Sequence, residues 1–127
     1  MFPVNPIKKT FPYGAHTTAS DALWAGVPLL TVTGNSFAAR VSTSLVTSAG
    51  LPELAMPSLE AYEREAIILA QSPHRITALK ARIAANRATC PLFDTVGFTR
   101  ALESAFSTIW TRHCAGEQPA SFDVASA

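Results

Sequence analysis

Apolar residues recur every three or four positions in five separate stretches of the chain, which is the spacing of amphipathic α-helices. Residues that suit helix N-caps precede three of these stretches, at Ser36, at Ser58 and at Asp94 or Thr95. The sequence therefore predicts a helix-rich protein. The five helices are predicted from Thr17 or Thr18 to Ala25, from Phe37 to Ala49, from about Leu59 to Ala70, from Pro73 to before Cys90, and from the Asp94 cap to about His113.

A short apolar run, Val27–Thr33, has the composition of a parallel strand that is covered on both faces. A second short strand is predicted near Leu54 to Met56. The backbone of a buried strand needs neighbouring strands, because each unpaired N–H or C=O group costs about 1 to 3 kcal/mol. One or two strands beside five helices therefore resemble the second half of an α/β lobe.

The apolar side of each helix predicts which side chains fill the core. Trp24 and Trp110 lie at core-like positions, where packing is favoured over stacking on a sugar. The basic residues after Pro73 lack interleaved aromatic residues, so they predict a solvated face and not a nucleic-acid surface. These basic residues are Lys80, Arg82 and Arg87. The second helix has Phe37, Val41, Leu45 and Val46 at helical spacing, and the last helix is predicted to turn inward Phe98, Leu102, Ala105, Phe106, Ile109 and Trp110.

Composition places the chain among ordinary globular proteins. Its 127 residues are 48% hydrophobic and 15% charged, and a formal net charge of +1 gives no field that would attract nucleic acid or an anionic membrane. The longest apolar stretch, Ala22–Val32, is about half the roughly 20 residues that a membrane-spanning helix requires. Cys90 and Cys114 fit no metal or redox spacing, so we interpret them as reduced thiols. We therefore expect a cytoplasmic protein without a nucleic-acid or membrane partner.

Three segments are expected along the chain. Residues 1–10 contain two prolines and two lysines without periodicity, which predicts an irregular lead-in. Residues 11–115 carry all of the predicted helices and strands. Residues 116–127 are small and polar, which is typical of a flexible tail.

The segment Thr10–Pro28 combines a loop, a helix start rich in hydroxyl groups, and an acidic residue one turn further along. Backbone N–H groups at a helix N-terminus bind phosphate well, and Thr17 and Thr18 add hydroxyl donors there. Asp21 is placed to accept a hydrogen bond from a ribose hydroxyl. This arrangement suits a nucleoside diphosphate.

Other interpretations of the same residues stay open. Thr17 and Thr18 are ordinary capping residues, and Asp21 favours the helix dipole. His16 by itself is typical of a surface or capping histidine. A hydrolase triad of His16, Ser20 and Asp21 is a further hypothesis, although neighbours on one turn rarely converge with the required geometry. Zinc-like spacing is absent among the histidines and cysteines, so no metal site is predicted.

Four sequence blocks together resemble the catalytic region of bacterial protein O-GlcNAc transferases, and the resemblance covers roughly Thr10 to Ala120. The blocks are HTTASDALWAGVP, FAARV, GLPEL and PLFDT, in that order and at similar spacing. The chain departs from the usual pattern at Lys9, Gly14 and Ala39, where relatives usually have Asp, Asn and Ser.

The resemblance implies an α/β fold, namely a partial Rossmann-like C-terminal lobe of a GT-B glycosyltransferase, helix-rich with one or two parallel strands. It implies transfer of N-acetylglucosamine from UDP-GlcNAc to Ser or Thr hydroxyls of proteins, with inversion and without a metal or other cofactor. His16, Thr17 and Thr18 resemble the family's diphosphate-binding helix start, and Asp21 resembles its ribose-binding aspartate.

No catalytic residue is carried over onto this chain. The rest of the site would come from a separate N-terminal lobe, so the chain is expected to be inactive alone and to bind UDP or UDP-GlcNAc weakly. The alternative is a non-catalytic remnant or a protein-interaction module.

Overall fold

The computed structural model describes residues 14–124, so the predicted lead-in at residues 1–10 lies outside the described residues. The chain divides into two compact units, Met1–Phe93 and Asp94–Ala127. Within the described part, the first unit contains four α-helices, two short strands and two 3₁₀ turns. Its elements are α1 (Thr17–Trp24), β1 (Thr31–Val32), α2 (Phe37–Ser48), a 3₁₀ turn (Pro52–Leu54), β2 (Ala55–Met56), α3 (Leu59–Ala70), α4 (Pro73–Asn86) and a second 3₁₀ turn (Pro91–Phe93).

The two strands pair in parallel, with Thr31 opposite Ala55 and Val32 opposite Met56. The predicted parallel pair is therefore confirmed, but β1 is shorter than the predicted Val27–Thr33. Leu29 and Leu30 are buried as expected of that run, yet they lie outside the paired residues. A strand assignment needs a hydrogen-bonded neighbour, and β2 offers a partner to only two residues of β1.

A cluster of buried residues forms the core of the described part of the first unit. It is formed by aliphatic side chains from α1, the β1 run, α2, the first 3₁₀ turn, α3 and α4. Gly50, with φ of +79°, ends the turn after α2 and lets Leu51 enter this core. The cluster comprises Ala19, Leu23, Leu29, Leu30, Val46, Ala49, Leu51, Leu54, Leu69, Leu79 and Ile83.

The predicted N-caps are confirmed at three helices. The Ser36 and Ser58 hydroxyl oxygens each accept a hydrogen bond at 3.2 Å from a backbone N–H three residues on. The Asp94 carboxylate accepts one at 2.9 Å from the N–H of Gly97. Local capping chemistry thus sets the starts of α2, α3 and the helix of the second unit.

The second unit is built on one 20-residue helix, α5 (Thr95–Cys114). The prediction that α5 turns an apolar face inward is wrong, since α5 has no buried residue in the described structure. Near its end the Arg112 guanidinium carbon lies 4.8 Å from the centre of the Phe122 ring. The exposed apolar side chains of α5 are Val96, Phe98, Leu102, Phe106, Ile109 and Trp110.

Two further burial predictions are wrong in the first unit. Trp24 is 56% exposed, although it was predicted at a core-like position, and Phe37 at the start of α2 is 76% exposed. Arg87, predicted to be solvated, is half-buried, and its guanidinium carbon lies 5.4 Å from the centre of the Trp24 ring. Phe93 meets the same indole edge-on, with ring centres 4.9 Å apart. These aromatic residues pack against each other at the surface, beside the core.

Both cysteines are free thiols; Cys90 is buried and Cys114 is exposed. Within residues 14–124, no helix combines the length and apolar character that crossing a bilayer would need.

Candidate functional site at the start of α1

Helix α1 has one buried side and one exposed side. Ala19, Ala22 and Leu23 are buried and anchor the helix on the core. Thr17, Thr18 and Asp21 are all exposed. Because residues three and four apart share a helix face, Asp21 lies below both threonines on the accessible side. The structure thus places Thr17, Thr18 and Asp21 of the predicted site on one accessible face, and His16 directly before that face at the N-cap position.

The N-terminus of α1 lacks a side-chain cap within the described structure, with His16 at the N-cap position. Helices α2, α3 and α5, in contrast, are each capped by a serine or aspartate side chain. The first N–H groups of α1 lie at the positive end of the helix dipole and point toward its exposed start. This local chemistry favours a phosphate group there.

His16 is half-buried between α1 and the first turn of α2. Its Nε2 atom lies 3.2 Å from the carbonyl oxygen of Ala38, and its ring meets the Phe37 ring edge-on with centres 6.3 Å apart. A carbonyl oxygen can only accept, so this hydrogen bond requires a hydrogen on Nε2. The contact fixes the orientation of the imidazole beside the start of α1.

The loop before α1 is held to α2 by two more hydrogen bonds. The N–H of Gly14 donates to the Ala38 carbonyl at 3.3 Å, and the fully buried hydroxyl of Ser42 donates to the Ala15 carbonyl. Sequence reasoning missed Ala38 and Ser42 as supports of the site. No local pattern could reveal them, because they meet their partners across 22 to 27 residues of chain.

The structure gives the hydrolase hypothesis no support, since the Nε2 atom of His16 is engaged by a backbone carbonyl. Ser20 and Asp21 are consecutive on a helix, so their side chains leave it in different directions. Among residues 14–124, no three His, Cys, Asp or Glu side chains cluster in a way that could hold a metal ion. The metal-free reaction implied by the resemblance stays a prediction.

Comparison with solved structures identifies the class of fold. The structure of a mutant of the Thermobaculum terrenum O-GlcNAc transferase superimposes with a TM-score of 0.79 and 32% sequence identity, over 85% of this chain and 21% of that one. The described structure therefore has the fold of part of a Rossmann-like lobe of a GT-B glycosyltransferase, with five helices and two parallel strands.

The family follows from the sequence comparison. The model for glycosyl transferase family 41 matches residues 10–102, and the chain belongs to that family. A probable UDP-N-acetylglucosamine–peptide N-acetylglucosaminyltransferase of Arabidopsis thaliana, SEC, is 43% identical over 86% of this chain. A SPINDLY protein of Oryza sativa subsp. japonica, with the same probable activity in its name, is 38% identical over 87%. The chain spans 11% and 12% of the length of these two relatives.

Proposed function

We propose that this chain supplies the diphosphate- and ribose-binding helix of a protein O-GlcNAc transferase. The complete enzyme would transfer N-acetylglucosamine from UDP-GlcNAc to Ser or Thr hydroxyls of proteins. The observation that carries the proposal is the exposed face of α1, where Thr17, Thr18 and Asp21 lie at a helix start that has no side-chain cap among residues 14–124. Membership of glycosyl transferase family 41 supports the choice of a nucleotide sugar as the ligand.

Each residue has a distinct role in this proposal. The N–H and hydroxyl groups of Thr17 and Thr18 donate to phosphate oxygens, and Asp21 accepts from the ribose hydroxyls one turn away. His16, held by the Ala38 carbonyl, lies at the phosphate end of the helix. The positive helix end stabilises the negative charge that develops on UDP as it leaves the sugar, which is the role that a metal ion would otherwise fill.

We assign the other parts of the reaction to residues outside this chain. A separate N-terminal lobe would complete the donor site and bind the protein acceptor, because we place no catalytic residue here. The four sequence blocks given above support a bacterial type of enzyme. We further propose that the enzyme acts in the cytoplasm, where UDP-sugars and reduced thiols such as those of Cys90 and Cys114 coexist.

A second candidate function is a protein-interaction module without catalysis. The observation that favours it is the exposed apolar face of α5. Large exposed apolar patches are typical of protein-binding surfaces. The two candidates differ in one measurable property, because only the first requires a working nucleotide site on α1.

The test is a titration of the purified chain with UDP, followed by ligand-observed NMR. Phosphate and ribose contacts alone predict a dissociation constant of about 1 mM, equivalent to about −4 kcal/mol. The double variant Thr17→Ala/Asp21→Ala should abolish binding. Thr47→Ala/Glu63→Ala is the matched control, since it removes an exposed threonine and an exposed acid from α2 and α3 and should leave binding intact.

A folded chain that binds no UDP up to several millimolar would contradict a self-sufficient site. Folding is checked on the same samples by circular dichroism, because the helical signal of α1 to α5 must be retained. Equal binding by the chain and the α1 double variant would place the nucleotide elsewhere.

A further inference from the structure

Phe37 is an exposed aromatic residue with no role in the core of the first unit. It is the first residue of α2, and 76% of its surface is accessible to water. The residues that anchor α2 are Ala39, Ser42 and Val46, which leave Phe37 outside the packed side of the helix. A water-exposed phenyl ring forgoes the stabilisation that burial would give, and this ring lies beside the candidate binding site, where a bound ligand can cover it.

The phenyl ring lies close to the residue that precedes α1. Its centre lies 6.3 Å from the centre of the His16 ring, in an edge-on arrangement. The backbone of the next residue is tied to the loop before α1, because the N–H of Gly14 and Nε2 of His16 both bond to the carbonyl of Ala38. The ring is therefore presented at the same end of α1 as Thr17 and Thr18.

We propose that Phe37 binds the sugar ring of a nucleotide sugar whose diphosphate lies on α1. This inference rests on the proposed function and adds a determinant of specificity to it. In a nucleoside diphosphate sugar the pyranose follows directly after the second phosphate, so it must lie close to the phosphate end of the helix. One face of a pyranose presents mainly C–H groups, which pack on an aromatic ring while the hydroxyls stay hydrated or hydrogen-bonded.

Such a contact acts on the sugar and not on the nucleotide. UDP would use α1 alone, whereas UDP-GlcNAc would use α1 together with the face of Phe37. Aromatic packing of this kind typically changes affinity by about three- to tenfold. The chain should therefore bind UDP-GlcNAc about three- to tenfold more tightly than UDP, and Phe37 should account for the difference.

The experiment measures the dissociation constants of UDP and UDP-GlcNAc for the original chain and for Phe37→Ala and Phe37→Leu, by ligand-observed NMR. We expect Phe37→Ala to bring the affinity for UDP-GlcNAc down to that for UDP and to leave UDP unchanged. Phe37→Leu keeps an apolar contact without a ring and should fall between. Phe106→Ala is the matched control, because it removes another exposed phenyl ring, from α5 in the other unit, and should change neither constant.

Saturation transfer reports the contact directly. In the original chain the sugar-ring protons of UDP-GlcNAc should receive magnetisation, and in Phe37→Ala that signal should fall relative to the uracil protons. Equal weakening of both ligands, or no change in either, would overturn the sugar contact while leaving the α1 site standing. A folded chain that binds neither ligand would overturn the proposed function and this inference together.

Discussion

The ring nitrogen Nε2 of His16 lies 3.2 Å from the carbonyl oxygen of Ala38, so the residue before α1 is bound to the first turn of α2. Two helix starts that are 20 residues apart in sequence, at Thr17 and Phe37, are thereby brought to one place. The candidate site is consequently a property of the α1–α2 pair. Substitution of the α2 residue that holds the α1 loop, Ser42, should therefore affect UDP binding even though it contacts no part of UDP in the proposed site.

The first prediction concerns Ser42, which is fully buried and donates to the Ala15 carbonyl. Ser42→Ala should lower the free energy of unfolding by about 1 to 3 kcal/mol, because it leaves a carbonyl of the α1 loop without its partner. It should also weaken UDP binding. Ser44→Ala, on the exposed side of the same helix, should change both by little. Chemical denaturation and UDP titration measure the two effects, and equal behaviour of the two variants would contradict the role of Ser42.

Helix starts were the best-predicted part of the fold, because capping is local chemistry. Ser36, Ser58 and Asp94 each accept the predicted backbone hydrogen bond three residues on. The extent of β1 was not predictable, since strand pairing depends on a partner 24 residues away and not on the apolar run itself. The apolar periodicity also predicted the helix α5 correctly. It shows which face is apolar but not whether anything covers that face.

The candidate site also has a part that the sequence predicts and a part that depends on tertiary packing. The exposed face of Thr17, Thr18 and Asp21 follows from helical spacing once the helix is assigned. Phe37 could not be recognised as a neighbour of that face, because an apolar residue at helical spacing is ordinarily assigned to the core. Its exposure and its contact with His16 depend on how α1 and α2 pack, which is tertiary information.

The second prediction compares two glycines with nearly the same backbone conformation, Gly26 with φ of +81° and Gly50 with φ of +79°. Alanine at either position pays about 1 to 2 kcal/mol for the left-handed conformation. A Cβ atom at Gly50 would also clash with the amide nitrogen of Asn86, whereas at Gly26 it would lie 3.5 Å from Arg87 Nη2. Gly50→Ala should therefore be the more destabilising.

Urea denaturation of both variants checks this order. The Asn86 amide also donates to the Ala49 carbonyl at 3.1 Å, so the clash would strain the contact between α4 and the end of α2. If Gly26→Ala proved at least as destabilising as Gly50→Ala, this account of the Asn86 contact would be wrong.

The third prediction concerns pH. The Ser58 hydroxyl lowers the pKa of Glu60, chiefly through a hydrogen bond to its carboxylate. A lowered pKa means that the contribution to stability is present at neutral pH and is lost as the pH falls through the pKa of the folded state. Ser58→Ala should raise the pKa of Glu60 toward its usual range, and Ser44→Ala should not. An NMR titration of the Glu60 side-chain carboxyl distinguishes the two, and an unchanged pKa in Ser58→Ala would contradict the assignment.

The fourth prediction concerns Arg82, which binds both carboxylate oxygens of Glu53, at 2.6 and 3.2 Å, and the carbonyl of Gly50 at 2.5 Å. Both side chains are about half exposed, so the ion pair itself should contribute less than about 1 kcal/mol and weaken with salt. Arg82→Ala should cost more than Glu53→Ala, because it also removes a donor from the turn that follows α2. A double-mutant cycle of Arg82→Ala and Glu53→Ala at low and high salt separates the ion pair from the hydrogen bond to the Gly50 carbonyl. A coupling energy that did not fall with salt would show that the pair acts through geometry and not through charge.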